Sequence, residues 1–330
     1  MKILAYPEKP IFLCYHNKAF PFGIIQANAS EDITKWVCSK SVGCVFNPKT
    51  SSDKFDLDII DQWGNLEGVT TRQTFKIRTD MIDVLGIDLP SMLKTVLENG
   101  YYIRGVYNEK YIPYKHAYNS YDFIHDFLVI GYDNEFFYSV GYVSDNHFRR
   151  YEIPIRNFID SLCDADKDMI GIEFIGYNKD HVLKPNITWM ISELEKHISS
   201  KAPVDPNDLH WGLSAIERLR DFFIDEVVNH KRIYIDRRYS KVLYEHEWIL
   251  TRLIDLLLDD SEKEEHFIYS NANLKRANLI QMLGLKMEIT GNVNLLDSVV
   301  KNMNEIIGDE KLYIPKLVDL LKTKYRNGLI

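Results

Sequence analysis

The chain has 330 residues, 45% of them hydrophobic, and a formal net charge of -8 from 40 basic and 48 acidic side chains. That size fits one large core or two ordinary ones, and two domains is the reading adopted. The acidic balance, without any Lys/Arg-rich run, argues against a nucleic-acid partner, and no uncharged stretch approaches the roughly 20 residues of a membrane span.

The start, MKILAYPEKPIF, breaks with Pro-Glu-Lys-Pro where a signal peptide needs a continuous apolar core, so a cytoplasmic protein is expected. Next comes FLCYHNKAFPFGIIQANA, in which Cys14 precedes an apolar, helix-like run. A thiol is a useful nucleophile only as thiolate, and a helix N-terminus or a neighbouring imidazolium lowers its pKa. Pro21 leaves two possibilities: a kinked helix beginning at Cys14, or a helix beginning near Phe20, in which case the dipole argument weakens. Taken alone, a cysteine among apolar residues is more often packing than chemistry.

The other cysteines are Cys38, Cys44 and Cys163, and their irregular spacing suits reduced thiols rather than a disulfide framework. CSKSVGC is not a CxxC pair and has no nearby His pair, which argues against zinc there. Cys163 lies on the apolar side of an expected helix. The stretch SKSVGCVFNPKTSSDKFD shows neither helical nor strand periodicity and reads as a mobile surface loop.

Four runs then read as strands: NGYYIRGVY, HDFLVIGYD, EFFYSVGYV and MIGIEFIGY. HDFLVIGYDNEFFYSVGY forms a hairpin whose turn is expected at Asp133-Asn134, placing His125 at the far end of its strand and Tyr142 opposite it. A histidine held at the end of a buried strand is a rigid platform for a general base.

Beyond Pro185 nearly everything carries helical periodicity, as in PNITWMISELEKHISS, LSAIERLRDFFIDEVV and VLYEHEWILTRLIDLLLDD. The fold class is therefore α+β: a domain over residues 1–180 with an antiparallel sheet, then an all-helical domain over 181–330, with the boundary in YNKDHVLKP. Within the helices, Arg237, Arg238, Glu245 and His246 read as a solvated face, with a buried network of Arg237, Glu245 and His246 as the alternative.

CYHNKAFPFGIIQ, then LPSMLKTVLENGYYIRGVYNEKYIPY and HDFLVIGYD, resemble the papain-like N-terminal domain of the butirosin side-chain acyltransferase family, which works in antibiotic and nonribosomal peptide pathways. WGLSAIERLRDF, DRRYSKVLYEHEWILTRL and LGLKMEITGN are similar to the C-terminal region of the same proteins. The resemblance implies a papain-like fold, with Cys14 as the acyl-accepting nucleophile and His125 as its base. It implies an amide-forming acyltransferase that takes its acyl group from the phosphopantetheine arm of an acyl or peptidyl carrier protein, passes it to a small-molecule amine, and needs no other cofactor and no metal. The helical domain would cover the cleft and exclude water, and the 20 tyrosines suit an aromatic acyl pocket or simply sheet and domain contacts.

Two departures from the papain pattern stand out. PEKPIFLC has no Gln to serve an oxyanion hole, and Glu8 would repel the developing charge, so the backbone N–H groups of Cys14 and Tyr15, or a side chain from elsewhere, would have to supply the donors. No Asn or Asp lies opposite His125, and Asp126 should point to the other sheet face. Asp145 is the expected third residue, reached through a bulge near Gly141, with a Cys14–His125 dyad as the alternative. A peptidase or amidase with the same residues, or a non-catalytic papain-like binding module, are the competing readings.

Overall fold

The computed structural model describes residues 1–47, 56–60, 66, 68–166, 169–200, 209–233 and 236–330. In chain order its elements begin with β1 (Lys2–Ile3), α1 (His16–Asn28), α2 (Thr34–Lys40), β2 (Gly43–Asn47) and β3 (Asp56–Ile60). There follow β4 (Thr70–Arg78), α3 (Thr79–Val84), α4 (Leu89–Glu98), β5 (Tyr102–Asn108), β6 (Ile124–Tyr132), β7 (Phe136–Tyr142), β8 (Phe148–Pro154), α5 (Ile155–Ala165) and β9 (Met169–Tyr177). The remainder is α6 (Ile187–Ser199), β10 (His210–Trp211), α7 (Leu213–Val228), α8 (Arg237–Leu257), α9 (Asp260–Thr290) and α10 (Leu295–Arg326). The fold is thus α+β, with an antiparallel sheet and a helical C-terminal region. No helix among the described residues is long and apolar enough to cross a membrane.

The chain divides into two compact units, and they do not meet at a single boundary. The first joins Met1–Asp32 to Leu66–Val182, and the second joins Ile33–Asn65 to Leu183–Ile330. The expected mobile loop at 39–56 belongs in part to the second unit's interior. Gly43–Asn47 is a strand, and Val42, Cys44 and Phe46 are buried, because β2 pairs with both β3 and β10. Residues 48–55 of that stretch lie outside the described set. The second unit is therefore not purely helical, since it carries this small three-stranded sheet.

In the first unit seven strands form an antiparallel sheet in the order β4-β9-β5-β6-β7-β8, with β1 added to β6. Strand alternation sorts the side chains into two cores. On one face Ile103, Phe127, Val129, Phe137 and Ile172 pack against Leu93 and Leu97 of α4 and Phe158 and Leu162 of α5. On the other, Tyr102, Leu128, Ile130 and Val140 pack against Ala19, Phe20 and Ile24 of α1. α1 is buried almost continuously from His16 to Ile25, and it accommodates Pro21 in its interior. It does not begin at Cys14 or at Phe20 but at His16, with Tyr15 as its N-cap.

The β6–β7 hairpin departs from the expected register. Tyr132 pairs with Phe137, and a bulge between Val129 and Gly131 shifts the remainder so that Leu128 faces Val140. The turn is built by the Asp133 carboxylate, which accepts from the N–H groups of Glu135 and Phe136 at 2.8 Å each. At the bulge β6 also changes its other neighbour: residues up to Val129 pair with β5, while Gly131 and Tyr132 pair with β1.

Candidate active site

β6 begins where β5 ends. Ile124 to Val129 pair with Asn108 back to Ile103, which sets His125 opposite Tyr107 on β5 rather than opposite Tyr142 on β7. Two residues beyond Tyr107 stands Glu109, buried, and its Oε1 lies 2.9 Å from Nδ1 of His125. With Nδ1–H donating to that carboxylate, the lone pair of the imidazole sits on Nε2. His125 itself is partly open to solvent, with 37% of its side chain exposed.

Glu109 is held from several directions. Its backbone N–H donates to the Phe123 carbonyl at 2.8 Å. Its Oε1 is 3.2 Å from the buried Lys115 ammonium, whose Nζ also lies 5.0 Å from the centre of the Tyr151 ring. The adjacent Asn108 carboxamide ties Phe123 N, Asp122 and Asp164 together at 3.1, 2.9 and 2.8 Å, fixing the crossing from β5 to β6. Burial pushes the Glu109 carboxyl up, but the hydrogen bond from His125 and the charge of Lys115 outweigh it and hold the group below the ordinary glutamate value.

A second imidazole faces the first. Asp126 shares the strand parity of Leu128, which packs toward α1, and there its Oδ1 takes a hydrogen bond from Nδ1 of His16 at 2.9 Å. Its position at the strand end lets the same oxygen lie 3.5 Å from Nε2 of His125, so the expected separation of Asp126 from the site does not hold. The two imidazole rings are 4.9 Å apart. Burial lowers the His16 pKa more strongly than Asp126 raises it, and Nε2 of His16 is buried without a hydrogen-bond partner.

That nitrogen abuts Gly141, where φ is +154° and an added Cβ would lie 3.5 Å away. Glycine suits this position for its backbone angles, since a Cβ would make only ordinary contact with the ring. Phe20 stacks on His16 with the ring centres 4.5 Å apart.

Cys14 is buried and lies directly before the N-cap of α1. Its segment is clamped on both sides: the Tyr142 hydroxyl donates to the Leu13 carbonyl at 2.9 Å, and His16 contacts His125. The Gln26 carboxamide secures the preceding loop by accepting from Ile11 N at 3.1 Å and donating to the Lys9 carbonyl at 3.4 Å. Glu8 is exposed. The link between this segment and β6 is the contact of His16, two residues after Cys14, with His125.

Asp145 does not join them. It lies in the β7–β8 turn with 46% of its side chain exposed, accepts from His147 N at 3.0 Å, and pairs with Arg149 at 3.0 Å. A short carboxylate satisfying its own turn has no need to fold back toward the hairpin. The register of the hairpin does shift, but at Val129/Gly131 on β6; its ladder ends at Leu128↔Val140, and on the other side β7 pairs with β8 without interruption through Tyr142↔Phe148. The carboxylate that orients His125 is Glu109. The signal was the YNEKY stretch, had β5 rather than β7 been taken as the neighbour of His125.

His16, His125 and Asp126 also present ligand atoms within 4.8 Å of one another, so they form a set capable of holding a cation. Cys38 and Cys44 are both buried and Cys163 is partly buried; burial, then Asp160, raises the Cys163 thiol. No family model matches the chain, and no curated protein matches it.

Proposed function

We propose that this protein is a papain-like cysteine acyltransferase that forms an amide through an acyl-Cys14 intermediate. The observation that carries the reading is the buried Glu109 bonded to His125, whose ring contacts His16 two residues after Cys14: a nucleophile candidate just before a helix, a base whose lone pair is left on Nε2, and a carboxylate on its Nδ1.

In this reading His125 Nε2 takes the Cys14 thiol proton, and the thiolate attacks the thioester carbonyl of an acyl group on a carrier protein's pantetheine arm. The C–S bond to pantetheine breaks, and the departing sulfur receives the proton from His125. An amine then attacks acyl-Cys14, His125 removes a proton from the nitrogen, and the Cys14 sulfur leaves and is reprotonated. Glu109 on one side and Asp126 on the other stabilise the imidazolium formed in each half-reaction. Thiol-to-thiol exchange is nearly balanced in energy and aminolysis of a thioester is downhill, so no nucleotide is required. Exposed Tyr121, Phe123 and Ile124 next to His125 offer an apolar rim suited to an acyl chain.

The test is intact-protein mass spectrometry after incubation with acyl thioesters. A mass gain of one acyl group in the native chain, absent from Cys14→Ala, supports the proposal, and undiminished labelling of Cys14→Ala removes it. A hydrolase is the second reading, favoured by the solvent access of His125. Added amine separates the two, because a transferase diverts product from acid to amide.

A further inference from the structure

The second unit contains a polar cluster that the proposed acyl transfer does not use. α6, α8 and α10 bring together His197, His246, Glu247 and Glu310, and all four are buried, the last three at 0% exposure. The reading of His246 as part of a solvated face fails here, and Arg237 pairs with Glu288 at 2.9 Å rather than joining a buried network with Glu245 and His246.

His246 Nε2 is 3.2 Å from the Val42 carbonyl, a bond that only an N–H can make, so the neutral ring carries its lone pair on Nδ1. That nitrogen faces Glu247 Oε1 at 3.5 Å and Glu310 Oε1 at 3.9 Å. None of these three atoms has a hydrogen-bond partner, nor does Glu247 Oε2. Glu310 Oε2 is held by His197 Nε2 at 2.8 Å. A nitrogen lone pair and two carboxyl groups thus converge within 4.8 Å and out of water, with no donor among them when both carboxyls are ionised.

With both carboxyls ionised such a set is unfavourable unless a proton or a metal ion sits between its members. We propose that His246 Nδ1, Glu247 and Glu310 ligate one divalent transition-metal ion that ties α8 to α10. Two carboxylates and a divalent ion sum to zero charge, as a dry interior demands, and the imidazole nitrogen favours zinc and its neighbours over magnesium or calcium. The surroundings match what metal ligands receive from their neighbours: the ligand histidine donates its other N–H to a backbone carbonyl, and a ligand carboxylate is held by a second histidine. Three protein donors leave a fourth position open.

The test uses the full chain, freed of metal with a chelator and titrated with Zn2+ and, separately, with Co2+. One equivalent should bind and raise the melting temperature, and Co2+ should develop visible absorption. Glu247→Gln and Glu310→Gln should lose this binding, while His197→Ala should weaken it roughly 10–100-fold. His125→Ala and Asp126→Asn should retain it, which separates the cluster from the candidate active site. Should the glutamine variants fail to fold, X-ray absorption of the zinc-loaded native chain decides, with a shell of oxygens and one imidazole expected. No thermal shift with either ion, retention in folded Glu247→Gln, or a thiolate-containing shell overturns the proposal.

Discussion

Glu109 and His125 belong to different segments of the β5–β6 crossing, yet Oε1 of the one and Nδ1 of the other meet at 2.9 Å with the carboxylate buried. The pairing makes Glu109 the group that sets which nitrogen of the imidazole is basic. Glu109→Gln should therefore lower the single-turnover acylation rate of Cys14 by tenfold or more, about 1.4 kcal/mol or more of transition-state stabilisation. The native circular dichroism spectrum should persist. An unchanged rate would show that His125 needs no carboxylate.

Asp145 supplies the contrasting case. Its side chain is spent on His147 and Arg149 in an exposed turn, so Asp145→Ala should leave acylation within about twofold of the native rate. A larger loss, measured under the same single-turnover conditions, would return Asp145 to the site.

The two histidines should separate by function. His125→Ala removes the proposed, partly exposed base and should cost roughly 10²–10⁴-fold in acylation at neutral pH, partly restored at higher pH as the thiol ionises directly. His16 is buried and bonded to Asp126, and its substitution by Gln should act on thermal stability more than on that pH dependence. If His16→Gln alone abolishes the neutral-pH rate and His125→Ala does not, the base assignment moves to His16.

Acid stability should report the same carboxylates. Glu109 and Asp126 are both held below their ordinary values of 4.5 and 3.8, in each case because histidine hydrogen bonds and nearby charges outweigh burial. Each group binds protons more readily in the unfolded chain. Their contribution is complete above those values and is lost as pH falls through the lower folded ones. The melting temperature should drop below about pH 4.5, and Glu109→Gln should flatten part of that slope. A melting curve as steep in the variant as in the native chain would contradict the assignment.

The strands were legible because β-branched and aromatic runs bounded by turn residues leave little choice, and β5, β6, β7 and β9 stand where those runs lie. Periodicity likewise marked α6, α7 and α8. The site was only half legible. Cys14 and His125 carry chemistry in their residue type, whereas Glu109 acquires its role from strand order, which local sequence does not encode. Register misled in the same way: the expected turn at Asp133-Asn134 ignored the side-chain bonds of Asp133 and the bulge near Ile130. The stretch around Val42–Phe46 was misread because a short strand completed by β10, far along the chain, has no periodicity of its own to display.

The division of the chain into interleaved units also has a consequence for synthesis. During translation Trp36, Val37, Val42, Cys44 and Phe46 emerge long before α6, α7 and α8, the elements of the same unit against which α2 and β2 pack. Until then these apolar side chains have only their local neighbours, a state that invites aggregation or chaperone capture. A gene ended after residue 182 would make that condition permanent, producing the whole of the first unit while leaving the excursion Ile33–Asn65 without its unit.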